Sequence, residues 1–203
     1  MKLIWHHVKA AVVPFIYLFF MAFISMGIVL IKNDLLILKI ALSILNIAFY
    51  ALIVAAGAMK EGETALKVRI ANDLERVQII RTGEDRPLKL VEEYKPWKGF
   101  LIGFLACVPC IVLLLIHTVL IFCVGVDNTG AGALAGFLYM MFYSLSRLAV
   151  STEPSVFAYY FCLLSVVVVP LITGIPYILG ARKIEKQQEK IKQRQREIYG
   201  DNI

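Results

Sequence analysis

Apolar positions gather into four long runs, residues 10–31, 35–58, 99–125 and 156–180. Each reaches the ~20 residues that a helix needs to cross a bilayer's hydrocarbon core. Lipid offers no partners to backbone N–H and C=O groups, so runs that cross it must be helical. The pattern predicts an all-α membrane protein, with four transmembrane helices arranged as two hairpins. It forms a single integral membrane domain over residues 1–203, whose polar remainder is a loop at 59–98 and a tail at 182–203.

Residues 131–150 are apolar too, but their pattern differs. Tyr139, Tyr143, Ser146 and Arg147 share one helical stripe, while Leu134, Phe137, Leu138, Met141, Leu145 and Leu148 occupy much of the other side. This amphipathic spacing predicts an outer interfacial or re-entrant helix rather than a fifth span. In the loop, Leu66, Ile70, Leu74 and Val77 predict a helix over about 63–81 that extends the second span, with Gly62 as a bend. The turn residues Thr82-Gly83-Glu84-Asp85-Arg86-Pro87 end it. Tyr94, Trp97, Lys95 and Lys98 then form an interfacial anchor before the third span. In the tail, Ile184, Ile191 and Ile198 recur every seven residues, too sparse for a coiled-coil seam.

Charge orients the spans. The chain holds 21 Lys and Arg. Nine lie in the loop (Lys60, Lys67, Arg69, Arg76, Arg81, Arg86, Lys89, Lys95, Lys98) and seven in the tail (Arg182, Lys183, Lys186, Lys190, Lys192, Arg194, Arg196). Lys2 and Lys9 precede the first span, so four spans put eighteen bases on one side and leave Lys32, Lys39 and Arg147. The excess predicts that loop, tail and both termini are cytoplasmic. A fifth span would reduce the split to twelve against nine. The first run, 10–31, exceeds the ~7–15-residue core of a signal peptide and reads as an uncleaved span.

Composition narrows the function classes. With 60% hydrophobic residues and a mean hydropathy of +0.76, the chain lacks the charge of a soluble surface. The net charge of +6 does not point to nucleic acid, because the bases flank spans and no nucleic-acid-binding motif accompanies them. Basic flanks instead attract anionic headgroups. The expected partners are therefore the bilayer's anionic lipids at the loop and tail, and a membrane-protein partner or a second copy of the chain.

A faint repeat runs through the spans. Ala11-Val-Val-Pro14-Phe-Ile-Tyr-Leu18 matches Ala106-Cys-Val-Pro109-Cys-Ile-Val-Leu113 at five of eight positions, an offset of 95. That offset also aligns the turns Lys32-Asn33-Asp34 and Asp127-Asn128-Thr129. Gly57-Ala58-Met59-Lys60 resembles Gly180-Ala181-Arg182-Lys183 at an offset of 123. Two parallel hairpin repeats, with an insertion before the last span, account for both.

Candidate chemistry is sparse. Cys107-Val-Pro-Cys110 has the spacing of a dithiol–disulfide pair. Burial in hydrocarbon opposes thiolate formation, and cysteine also serves as a small apolar packing residue. Asn46, mid-way through the second span, and His117, in the third, are the candidate polar intramembrane site. No acidic residue lies deep in any span, which argues against a proton-driven pump. Gly99 with Gly103, and Gly132 with Gly136, have small-xxx-small spacing for close helix packing. Pro14, Pro109, Pro170 and Pro176 fall inside apolar runs and predict kinks. No catalytic, cofactor-binding or metal-binding motif appears, and the adjacent His6 and His7 point apart on a helix. These features favour a non-enzymatic membrane accessory or interaction protein. The alternatives are a small transporter or permease subunit sited near Asn46 and His117, or a membrane thiol oxidoreductase using Cys107 and Cys110.

The segment Glu92-Glu-Tyr-Lys-Pro-Trp-Lys-Gly99-Phe-Leu-Ile-Gly103, continuing to Pro109, resembles one in uncharacterised small multi-pass proteins of Gram-positive-type bacteria. The shared element is a basic residue, Gly, an apolar pair, Gly and a later Pro. The resemblance implies a bacterial cytoplasmic membrane protein and brings no activity with it.

Overall fold

A computed structural model describes residues 2–31, 35–83, 94–125, 129–149 and 156–199. The expected turn at 84–87, the aligned turn residues 32–34 and 127–128, Glu92 and Glu93, the bases Arg86 and Lys89, and residues 200–203 lie outside it. So do the side chains of Ser146 and Arg147.

The described residues are almost all helical, with no strand among them. In chain order they form α1 (Lys2–Val29), α2 (Leu36–Thr82), α3 (Lys98–Val119), a π-helical turn (Leu120–Val124), α4 (Gly130–Leu138), α5 (Met140–Ala149), a 3₁₀ segment (Val156–Leu163) and α6 (Leu164–Tyr199). Four of the helices, α1, α2, α3 and α6, are long and apolar enough to cross a membrane. Pro14, Pro109, Pro170 and Pro176 all lie inside these helices.

The helix expected over 63–81 is the end of α2. At 47 residues, α2 is about 70 Å long against ~30 Å of hydrocarbon, so roughly half of it extends beyond the apolar part. Gly62 does not interrupt it. Gly83 ends it, with φ 66° and its N–H bonded to the Ile79 carbonyl at 2.9 Å.

Side-chain pairs give the helix directions. Along α1 and α2, Tyr50 meets Pro14 and Asn46 meets Ser25, so these helices are antiparallel. Along α3 and α6, Gly99 lies against Gly174 and Tyr177, Gly103 against Pro170 and Thr173, and Cys107 against Ser165, again antiparallel. The beginnings of α1 and α3 meet residues 53–68 of α2 and 173–177 of α6 around one cavity. Thus α2 and α6 run in the same direction and emerge together at one end, which carries Lys9, Lys60, Lys98 and Lys183. We call it the basic end.

There α2 and α6 cross with their backbones in contact. A Cβ added to Gly62 would strike the Tyr177 carbonyl, and one added to Gly180 would strike the Met59 carbonyl. Each glycine abuts the residue three positions before the other, so Gly62 and Gly180 are equivalent about a local two-fold. This register differs from the sequence alignment of Gly180 with Gly57, whose added Cβ would meet nothing within 4 Å. Past the crossing, Leu66, Tyr94, Tyr177, Ala181 and Ile184 form a small apolar cluster, with Ile70 against it. Lys183 donates to Glu63 at 2.7 Å.

The main core draws on every helix: Leu18 and Met21, Tyr50 and Val54, Ala106, Cys107 and Cys110, Ala135, Tyr139 and Phe142, Cys162 and Val169. The segment expected as one helix over 131–150 is two, broken at Tyr139. Tyr139 is fully buried and donates to the Ala106 carbonyl at 2.8 Å. Its phenol therefore joins α3 in the core instead of belonging to a polar outer stripe. Tyr143 stacks on Tyr159, with ring centroids 5.3 Å apart.

Candidate functional site

The polar residues marked by the sequence fall into separate groups. Asn46, 5% exposed, donates to Ser25 Oγ at 2.8 Å and, more weakly, to the Met21 carbonyl at 3.4 Å. Its Oδ1 has no hydrogen-bond partner, and neither does the buried Ser43 Oγ one turn earlier on α2. His117 lies on α3, fully buried. Its Nδ1 shares a 2.6 Å hydrogen bond with Thr129 Oγ1, which also accepts the Gly132 N–H at 3.0 Å and so caps α4. Tyr159 meets the imidazole edge-on at 5.1 Å. Asn46 thus ties α2 to α1, and His117 ties α3 to α4.

The paired glycines pack within the chain. Gly99 and Gly103 let α3 approach α6. A Cβ on Gly132 would sit 2.6 Å from His117 Nδ1, and one on Gly136 would sit 3.1 Å from the Tyr159 ring. All four positions serve close approach, as small-xxx-small spacing allows.

Cys107 and Cys110 are free thiols on the face of α3 turned to α6. Cys107 donates to the Ser165 carbonyl at 3.3 Å and Cys110 to the Cys162 carbonyl at 3.6 Å. Cys162 donates in turn to the Ala135 carbonyl at 3.7 Å. Three buried thiols therefore stitch α3, α4, the 3₁₀ segment and α6 together through backbone oxygens. Cys123, in the π-helical turn, is exposed and apart from them. Among the described residues, no three His, Cys, Asp or Glu side chains are grouped to hold a metal ion.

The structure assembles a different site at the basic end. A half-open cavity of about 570 Å³ lies between α1, α2, α3 and α6. Its polar lining includes His7, Lys9, Glu61, Thr64, Lys98 and Tyr177, and its apolar lining includes Val13, Ile53, Val54 and Ile102. His7 and Lys98 are each only 6% exposed. Tyr94 covers Tyr177 from outside, its ring stacked at 5.5 Å, and burial raises the Tyr94 phenol above its ordinary pKa. Sequence reasoning missed this site because its charged members stand just outside the apolar runs, where bases read only as topology signals. Tyr177 sits in an apolar run and carries no signal of its own.

A second, shallower hollow of about 560 Å³ runs along the outside of α6. Arg182, Lys183, Lys186 and Lys190 line it, with Met59 and Leu179 at its apolar end. No family model, curated protein or solved structure matches the chain.

Proposed function

We propose that this is a non-enzymatic integral membrane interaction protein of a bacterial cytoplasmic membrane. Its basic end faces the cytoplasm, and the extensions of α2 and α6 present a docking surface there. The antiparallel pairs α1–α2 and α3–α6 support a reading of four spans as two hairpins, and the eighteen-to-three charge split supports the orientation. The α4–α5 segment reads as re-entrant. Its contacts pass from Gly132 at His117 to Tyr139 at Ala106, eleven residues along α3, or roughly 16 Å of helix.

One observation carries the interaction reading. Beyond the Leu66–Ile184 cluster, the apolar stripes of both helices continue without burial. Leu74, Val77 and Ile80 on α2, and Ile191 and Ile198 on α6, are all more than half exposed, Ile80 at 80%. The basic hollow on α6 beside them supports contact with anionic headgroups. Apolar side chains held on projecting helices among charges suit an amphipathic helix-in-groove contact with a partner. A site of chemistry at Asn46 and His117 has less support, because each is engaged in joining helices. The thiols likewise bond to carbonyls across the core.

The test is native electrophoresis of full-length protein extracted in mild detergent. The triple variant Leu74→Glu, Val77→Glu, Ile80→Glu should insert and fold as the parent does, yet migrate as a smaller species. Parent migration that is already that of the lone chain, or that is unchanged by the triple variant, sinks the proposal. A large species kept by the purified chain alone would identify the partner as a second copy.

A further inference from the structure

We propose that the cavity between α1, α2, α3 and α6 binds one anionic glycerophospholipid, with its headgroup at Lys9 and Lys98 and an acyl chain along Val13, Ile53, Val54 and Ile102. The charged lining residues all stand toward the basic end, and the lining deeper in is mainly apolar, with Tyr17 and Thr173 as its polar members. On α1, His7 and Lys9 precede Val13; on α3, Lys98 precedes Ile102. On α2, which runs the opposite way, Ile53 and Val54 come before Glu61 and Thr64. Three helices therefore put charge at the basic end and hydrocarbon one or two turns deeper. Its volume of about 570 Å³ is within the ~300–1,000 Å³ of ligand pockets.

Charge chooses the headgroup. Among the described residues the lining holds two lysines and one carboxylate, Glu61, a formal excess of positive charge that suits a monoanionic phosphodiester. Lys98 is withdrawn from solvent, and charges interact more strongly there than in bulk water. The depth is marked independently by Trp97, which is half exposed beside Lys98, with Lys95 Nζ 6.0 Å from its ring. Tryptophans and lysines so arranged sit at headgroup level. The cavity is half open, which gives a lipid a way in.

Native mass spectrometry of the delipidated full-length chain tests the assignment, using phosphatidylglycerol, phosphatidylcholine and free glycerol phosphate. One phosphatidylglycerol should be retained, with about tenfold preference over phosphatidylcholine. The pair Lys9→Gln and Lys98→Gln should erase the preference. Gly57 lines the cavity, and a Cβ there meets nothing within 4 Å. Gly57→Phe should put a ring into that space and block occupancy, with an unchanged melting temperature as the check that the fold is kept, so the test stands even where the lysine pair fails to assemble. Lys186→Gln with Lys190→Gln, in the outer hollow, should weaken only lipid contact there and leave the one lipid held in the cavity, with its preference, in place. Equal retention of both lipids, undiminished binding to Gly57→Phe, or loss confined to the Lys186–Lys190 variant would overturn the proposal. Displacement by glycerol phosphate at the same concentration would also overturn it, in favour of a site for a soluble anion. The outcome is independent of whether α2 and α6 dock a partner.

Discussion

Alanine at Gly62 or at Gly180 should cost the protein about 3 kcal/mol, the upper end of ordinary overpacking. The obstacle is backbone, which has no rotamer to change. Each new methyl would occupy space held by a carbonyl, that of Tyr177 or Met59, so α2 and α6 must separate. Separation loosens the Leu66–Tyr177–Ile184 cluster and stretches the Glu63–Lys183 bridge. Thermal unfolding in detergent would measure the loss. Gly57→Ala is the matched control, since its Cβ meets nothing within 4 Å. It should be neutral or stabilise by up to about 1 kcal/mol, through helix propensity. Gly62→Ala and Gly180→Ala share one contact, so the double variant should lose less than the sum. An unchanged melting temperature for either single variant would mean that the two backbones do not touch.

The Glu63–Lys183 bridge gives the crossing a mild pH dependence. The hydrogen bond from Lys183 holds the Glu63 carboxyl below its ordinary pKa. Its stabilisation is present at neutral pH and is lost as pH falls through that lowered pKa. Both partners are solvated, so this contribution is far smaller than that of the glycines.

Tyr139→Ala should be as damaging, at about 3–5 kcal/mol, because it empties a fully enclosed site where α1, α3, α4 and the 3₁₀ segment converge. Tyr139→Phe keeps the ring and loses only the hydrogen bond to the Ala106 carbonyl, about 1 kcal/mol. The ordering parent, Phe variant, Ala variant, read from unfolding midpoints, is the expected result. A residue on the solvated stripe of an outer interfacial helix would tolerate both changes. Near-equal stability of all three proteins would therefore remove Tyr139 from the core and α4–α5 from inside the bundle.

The break at Tyr139 shows how far pattern alone can mislead. Tyr139, Tyr143, Ser146 and Arg147 make a polar stripe only if one helix runs through all of them. The structure interrupts the helix at Tyr139 and turns the phenol to a backbone oxygen of α3. The alignment of Gly57 with Gly180 is likewise not the register of the crossing, where Gly62 takes the position equivalent to Gly180. By contrast, the extension of the second span was legible, because Leu66, Ile70, Leu74 and Val77 keep helical spacing among charged residues beyond the apolar run.

Much was determined by sequence alone, through constraints that act on each segment by itself. Four runs are apolar over a bilayer's thickness, and lipid forces such runs to be helical. The bases mark one end, and Gly83 stops α2 where turn residues begin. Only the tertiary structure decided which faces meet: Gly62 on Gly180, Gly99 and Gly103 on α6, His117 on Thr129, and the basic-end cavity among four helices. In water, burial separates inward from outward faces by polarity. Within lipid both faces are apolar, so periodicity carries little information about contact. Shape, small residues and a few hydrogen bonds then select the packing, and these act between segments far apart in the chain.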